Sequence, residues 1–225
     1  MEEQYKTIQD IYDAYDVMPQ LREHMIRVAA VGGFLARTSN LSETNVKDIE
    51  LALLLHDIAN IIKFDLDRFP VGVEVQGLQY WKNIQCRYIN TYGTDEDEAH
   101  QLIALEISVT SNIIDYMKMV GFAHVCDLAR DGSIERQICE YADLRVAPHG
   151  IVSLQERLED GKARYGISDA DERWDVRKCA TALEKVVCTS ADCSAKDITT
   201  DILQEEIDRL SNARVGYRGG CLTMI

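Results

Sequence analysis

Along this chain apolar residues recur mostly at helical spacing, and no stretch shows the strict alternation that marks paired strands. That pattern predicts an all-α protein. Pro19 suits the first turn of a helix, where its missing N–H would be unpaired anyway, and Leu21, Met25, Val28, Gly32 and Leu35 then share one face. Ser42 to Asn45 supply cap chemistry for the next helix, in which Val46, Ile49, Leu53, His56 and the run from Leu51 to Leu55 imply deep burial. The segment Phe69 to Gly72 breaks the pattern, and a helix from about Gln76 to Tyr92 then ends at Gly93, the place of a C-cap glycine. Thr94 to Asp97 resembles a capping box and starts a helix that carries His100. Two short helices, near Ile113 to Val120 and Ala123 to Ala129, are closed by Gly121 and Gly132. Ser133 caps another, which holds Ile138, Tyr141, Asp143 and Val146 and stops before Pro148. Amphipathic helices near Ser153 to Tyr165, Asp169 to Cys188 and Asp197 to Leu210 complete the pattern, followed by a loose tail.

A length of 225 residues supports one compact core with extensions. The formal net charge of −14, with no block of lysine or arginine, argues against nucleic acid as a partner. It also repels anionic ligands, unless something local such as a bound cation reverses the sign. Seven cysteines, an odd and scattered set without a Cys-x-x-Cys pair, read as reduced thiols of a cytosolic protein. The N-terminus has no apolar leader, and no stretch is apolar for the roughly 20 residues that span a bilayer. The expectation is a soluble cytoplasmic protein with no membrane partner.

Against this helical background the unusual residues are His24, the doublet His56-Asp57, His100 and Asp143, each entry on a different predicted helix. Helix bundles build metal sites from side chains that project inward from several helices, because one helix offers few ligands on one face. The doublet interrupts an apolar run and is followed at once by Ile58, Ala59, Ile61 and Ile62. A buried carboxylate there needs compensation, which ligation of a cation provides. Imidazoles with carboxylates suit Mn, Fe, Co, Ni or Zn better than the all-oxygen preferences of Mg or Ca. Taken singly, His24 reads as a half-buried histidine, and Asp143 as an ion-pair partner of Arg145.

The order His24, His56-Asp57, Asp143 resembles the H…HD…D pattern of the HD superfamily of metal-dependent phosphohydrolases. The flanks Leu-Leu-His-Asp-Ile, Tyr-Ala-Asp-Leu-Arg-Val and Ile-Val-Ser-Leu-Gln-Glu-Arg-Leu resemble the family too. The likeness covers residues 18–165, with residues 1–17 expected as an N-terminal helix packing on that unit and 166–225 as a C-terminal helical extension. It implies an HD helical bundle in which His24, His56, Asp57 and Asp143 ligate a divalent transition metal. Some relatives hold a second ion through histidines between the doublet and the last aspartate. His100 is the candidate here, with Asp97, His124 and Asp131 behind it, whereas His149 reads as a turn residue.

The resemblance implies hydrolysis of a small phosphate ester, such as a nucleotide or dinucleotide, by a metal-activated water. Asp57 would orient that water, and His100 would bind a second ion or act as acid. The family often carries a basic residue three positions after the doublet aspartate, where this chain has Asn60. Asn60 can bond a phosphate oxygen, and positive charge would then come from Lys63, Arg27, Arg145 or the metal. A metal-binding sensor without catalysis and a di-iron oxygenase are the rival readings, and a homodimer is compatible with each.

Overall fold

The computed structural model describes residues 5–67, 75–165 and 176–225. The Phe69 to Gly72 break and the first residues of the helix expected from Asp169 lie outside them. Among the described residues there are eleven α-helices: α1 (Ile8–Ala14), α2 (Pro19–Thr38), α3 (Glu43–Leu55), α4 (Leu78–Tyr92), α5 (Glu96–Glu106), α6 (Ser111–Lys118), α7 (Val125–Asp131), α8 (Ile134–Asp143), α9 (Leu154–Tyr165), α10 (Val176–Ser190) and α11 (Thr200–Ser211). A 3₁₀ turn, Asn60–Lys63, follows α3. The chain is an all-α fold of the kind the periodicity predicts.

The caps explain where the elements begin. Ser42 Oγ accepts from the Asn45 amide at 3.1 Å to start α3. Asp95 accepts from the amides of Asp97 and Glu98, so the capping residue of α5 is Asp95 rather than Thr94. Gly93, at φ +92°, closes α4 in the left-handed region that a residue with a Cβ avoids.

Helix α2 is the axis of the fold, packing against α3, α8 and α11, while α10 lies against α7, α8 and α9. The contact of α2 with α3 depends on two glycines. A Cβ on Gly32 would collide with Leu53 Cδ1, and one on Gly33 with the Glu50 carboxylate. Both neighbours are pinned: Leu53 is fully buried, and Glu50, only 2% exposed, accepts hydrogen bonds from Arg37 of α2 and Arg209 of α11. Glu206 pairs with the same two arginines, so a charged cluster ties α2, α3 and α11 together. On the other flank α1 buries Ile8, Ile11 and Tyr12, and the Tyr12 hydroxyl donates to the Leu54 carbonyl at 2.7 Å.

Two expectations are corrected. The tail is not loose: β3 (Val215–Arg218) and β4 (Cys221–Met224) form an antiparallel hairpin. Its two-residue loop, Gly219-Gly220, has φ of +59° and +87°, as the mirror-image hairpin turns require, and Val215, Leu222 and Met224 are buried. The strands are short and pair partly with distant backbone at Lys6 and Ser108, which is why local alternation does not reveal them. A second small hairpin, β1 (Val146–Ala147) with β2 (Gly150–Ile151), reverses the chain after α8. Nor are all the cysteines reduced: Cys126 of α7 is joined to Cys179 of α10, whereas Cys86, Cys139, Cys188, Cys193 and Cys221 are free. The partners lie 53 positions apart, and only the docking of α10 on α7 brings them together.

Gly33→Ala should lower the unfolding free energy by about 1–3 kcal/mol, because the new methyl must displace a carboxylate held by two arginines. Urea titration followed by far-UV circular dichroism checks this. A midpoint equal to that of the parent would mean that the two helices are not in tight contact at this position.

Candidate metal centre

His24 projects from α2, His56 and Asp57 follow the last turn of α3, and Asp143 is the final residue of α8. Three helices therefore aim four side chains at one place. His24 Nε2 lies 3.0 Å from Asp143 Oδ1 and 3.6 Å from Asp57 Oδ2. His56 Nε2 lies 3.6 Å from Asp57 Oδ1 and 3.9 Å from Asp143 Oδ1. Ligands about 2.0–2.2 Å from a shared cation stand about 3–4 Å from one another, so these separations suit a common ion. One ligand atom from each of His24, His56 and Asp57 lies within 4.8 Å of the other two, which makes a group that can hold a metal.

The orientation of His56 tests that fit. Its Nδ1 is 2.7 Å from the Leu53 carbonyl, which can only accept, so Nδ1 carries a proton and Nε2 is the nitrogen left to face the carboxylates. That Nε2 is buried and has no hydrogen-bond partner among the described residues. A buried ring nitrogen without a hydrogen bond, set beside two carboxylates, is costly as it stands, and a shared cation is a partner that can satisfy all three.

Both carboxylates are held ionised. Burial alone would raise the pKa of Asp57, but His56, His24 and Lys63 outweigh it and the net shift is downward. Burial likewise acts on Asp143, against which Arg157 and His24 prevail, holding its carboxyl well below the usual range. Arg157, from α9, places Nη2 3.4 Å from Asp143 Oδ2.

The centre forms part of the wall of a cavity of about 730 Å³. Asn60, Lys63, Arg157 and Arg164 give this cavity polar and cationic walls, while Phe64, Val120, Phe122 and Val146 give it apolar ones. The loop between α6 and α7 is tied from beneath: the Gly121 amide donates to Glu140 Oε2 at 2.6 Å. Glu140 is fully buried on α8, and burial pushes its carboxyl up to about 8, against the Gly121 hydrogen bond.

The remaining candidates separate. Asn60 and Lys63 line the cavity. Arg27 does not line it and instead bonds Glu23 at 3.0 Å. Arg145 is corrected outright, being buried and bonded to Tyr141 Oη and to the carbonyls of Val152, Ala195 and Ile198. It lies two residues past the end of α8, where the chain turns into β1, so its side chain points to the C-terminal segment and leaves Asp143 to Arg157. His100 lines a second cavity of about 260 Å³ with Asp97 and His124, near enough to Asp57 and His56 to feel their charge but outside the group described above. Burial lowers its pKa to about 4, which favours the neutral ring at neutral pH. Asp131 is exposed at the end of α7 and His149 is exposed in the turn between β1 and β2. Arg157, Arg164, Phe122 and Glu140 were not singled out from sequence. The cue in the chain is Arg157 and Arg164 spaced seven apart on one amphipathic helix.

Residues 21–84, the segment that carries His24 and the His56-Asp57 doublet, match the family model of the HD domain. No curated protein and no solved structure gives a significant match. Among the described residues no helix is long and apolar enough to cross a membrane.

Two outcomes are expected. Protein purified without chelator should retain a transition metal by elemental analysis, and His56→Ala should weaken its binding at least about tenfold. For metal-free protein, the folded chain keeps the Glu140 proton between pH 4.5 and about 8 while the unfolded chain has lost it, so this residue makes stability fall as pH rises through that interval. The depressed Asp143 acts in the opposite sense, at more acid pH. Melting temperatures of the parent and Glu140→Gln across that interval should therefore diverge in favour of the variant, and parallel curves would show that Glu140 ionises normally.

Proposed function

We propose, from an HD-domain match at residues 21–84, whose two histidines and aspartate meet Asp143 around one point, that this chain is a metal-dependent phosphohydrolase acting on a small phosphate ester, such as a nucleotide or dinucleotide. The observation that carries the reading is the buried, unpartnered His56 Nε2 facing both carboxylates. His24, His56, Asp57 and Asp143 would hold the ion. When bound, a divalent cation supplies Lewis acidity, making hydroxide available near neutral pH and offsetting charge on phosphoryl oxygens.

The chain's own groups supply the rest. Asp57 turns one oxygen toward His24 and the other toward His56, so it can ligate through one and orient the attacking water through the other. Asn60 is 5% exposed, lines the cavity and has Oδ1 without a hydrogen-bond partner, which fits it to accept a hydrogen bond from that water and help orient it. Lys63, at the rim, is 44% exposed and 3.6 Å from Glu96 Oε1, so it acts as a charge at the mouth that attracts an anion to an acidic protein. The apolar walls take the organic part of the ester and exclude water from the reacting centre. The volume of about 730 Å³ lies within the range of small-molecule sites.

A panel of phosphate esters, assayed with Mn, Co, Ni and Fe in turn, should reveal metal-dependent turnover. Asp57→Ala should lower it by at least about a hundredfold while the circular dichroism spectrum stays that of the parent. A panel silent with every metal would sink the hydrolase reading and leave a ligand-binding role for the same cavity.

A further inference from the structure

Arg157 is a buried cation whose hydrogen bonding is incomplete. Its side chain is 8% exposed, yet the described residues supply no hydrogen-bond acceptor to Nη1. The other atoms of the guanidinium are engaged. Nε and Nη2 lie 3.4 Å from the Asp143 carbonyl and from Asp143 Oδ2, respectively. Cζ stands 5.2 Å from the centre of the Phe122 ring, within cation–π range. Asp160, one turn on, comes only to 3.9 Å of Nη1, which is beyond a hydrogen bond. The guanidinium is thus clamped between a carboxylate and an aromatic face, in the wall of the cavity, with one nitrogen unserved.

A buried donor without an acceptor costs free energy that a bound anion recovers. With Nε and Nη2 turned to Asp143, Nη1 is left to give a single charge-assisted hydrogen bond to an anion, and Asp143 places it next to the metal centre. Position 60, three after the doublet aspartate, is an uncharged asparagine. We propose that Arg157 binds a phosphoryl oxygen of the substrate through Nη1, supplying from α9 the positive charge that the segment after the doublet lacks at Asn60. The inference rests on the hydrolase reading for the identity of the anion. The clamp rests on α8 as well, because Glu140 holds the Gly121 amide and with it the loop that carries Phe122.

The test is calorimetric and uses the full chain loaded with Mn²⁺, with inorganic phosphate as the probe. Arg157→Ala should leave Mn²⁺ stoichiometry unchanged and weaken phosphate binding about tenfold or more. Arg157→Lys should lie between, and adding Asn60→Lys to Arg157→Ala should restore part of the affinity. Phosphate affinity within twofold of the parent overturns the proposal. So does loss of Mn²⁺ in both Arg157→Ala and Arg157→Lys, which would show that the arginine serves only to hold Asp143, or failure of the parent to bind phosphate. If Arg157→Ala does not fold, the lysine variant and the Asn60→Lys single variant decide. Phosphate binding that depends on Arg157 in a protein with no ester turnover would uphold this inference while removing the hydrolase reading.

Discussion

At Gly32 and Gly33 the bare backbone of α2 lies directly against the Leu53 and Glu50 side chains of α3, and the rest of the site is built on that approach. His24 lies two turns before the contact on α2, and the doublet follows the last turn of α3. With the helices this close, Nε2 of His24 and Nε2 of His56 each reach both carboxylates. A wider spacing would leave two buried anions with no shared partner, which is the costly case for charge in a protein interior. Glu50 and its two arginines sit across the same contact and extend the constraint to α11, so the C-terminal part of the chain takes part in holding the centre together.

The electrostatic layout resolves the tension between an acidic chain and an anionic ligand. The net charge of −14 belongs to the chain as a whole, whereas Lys63, Arg157 and Arg164 are gathered around one cavity whose acids are engaged with imidazoles and arginine. Even there the charge is partly offset, because Glu96 pairs with Lys63 and Asp160 with Arg164. Glu140, beneath this wall, avoids adding a further negative charge because burial keeps its proton on at neutral pH.

The four converging residues were legible because a histidine-aspartate pair inside an apolar run is costly to bury unless a cation or a charged neighbour compensates it, and because each partner lay on a separate helix with clear caps. Rotation and chain reversal were not legible. Arg145 stands two positions after Asp143 and Arg157 fourteen, yet it is the more distant arginine that the chain reversal through β1 and β2 returns to the carboxylate. His100 sits on a helix correctly bounded by its acids and glycine, but the packing of α5 turns it to a separate cavity with Asp97 and His124. The disulfide depends on a partner 53 positions away, about which local composition carries no information, whereas the terminal hairpin has its signal in Gly219-Gly220 and only its anchoring to Lys6 and Ser108 is distant.

The last turn of α3 leaves its carbonyls without intrahelical donors, and two of them are taken by side chains: Leu53 by His56 and Leu54 by Tyr12. The hydrogen bond that finishes the helix is thus the same one that aims the imidazole. An ion bound there would meet one imidazole already held in orientation by the backbone, and would lose little affinity to ordering it. A cage of fixed span also discriminates by ionic radius, rewarding the cation that matches its opening over one that would have to pull the helices inward.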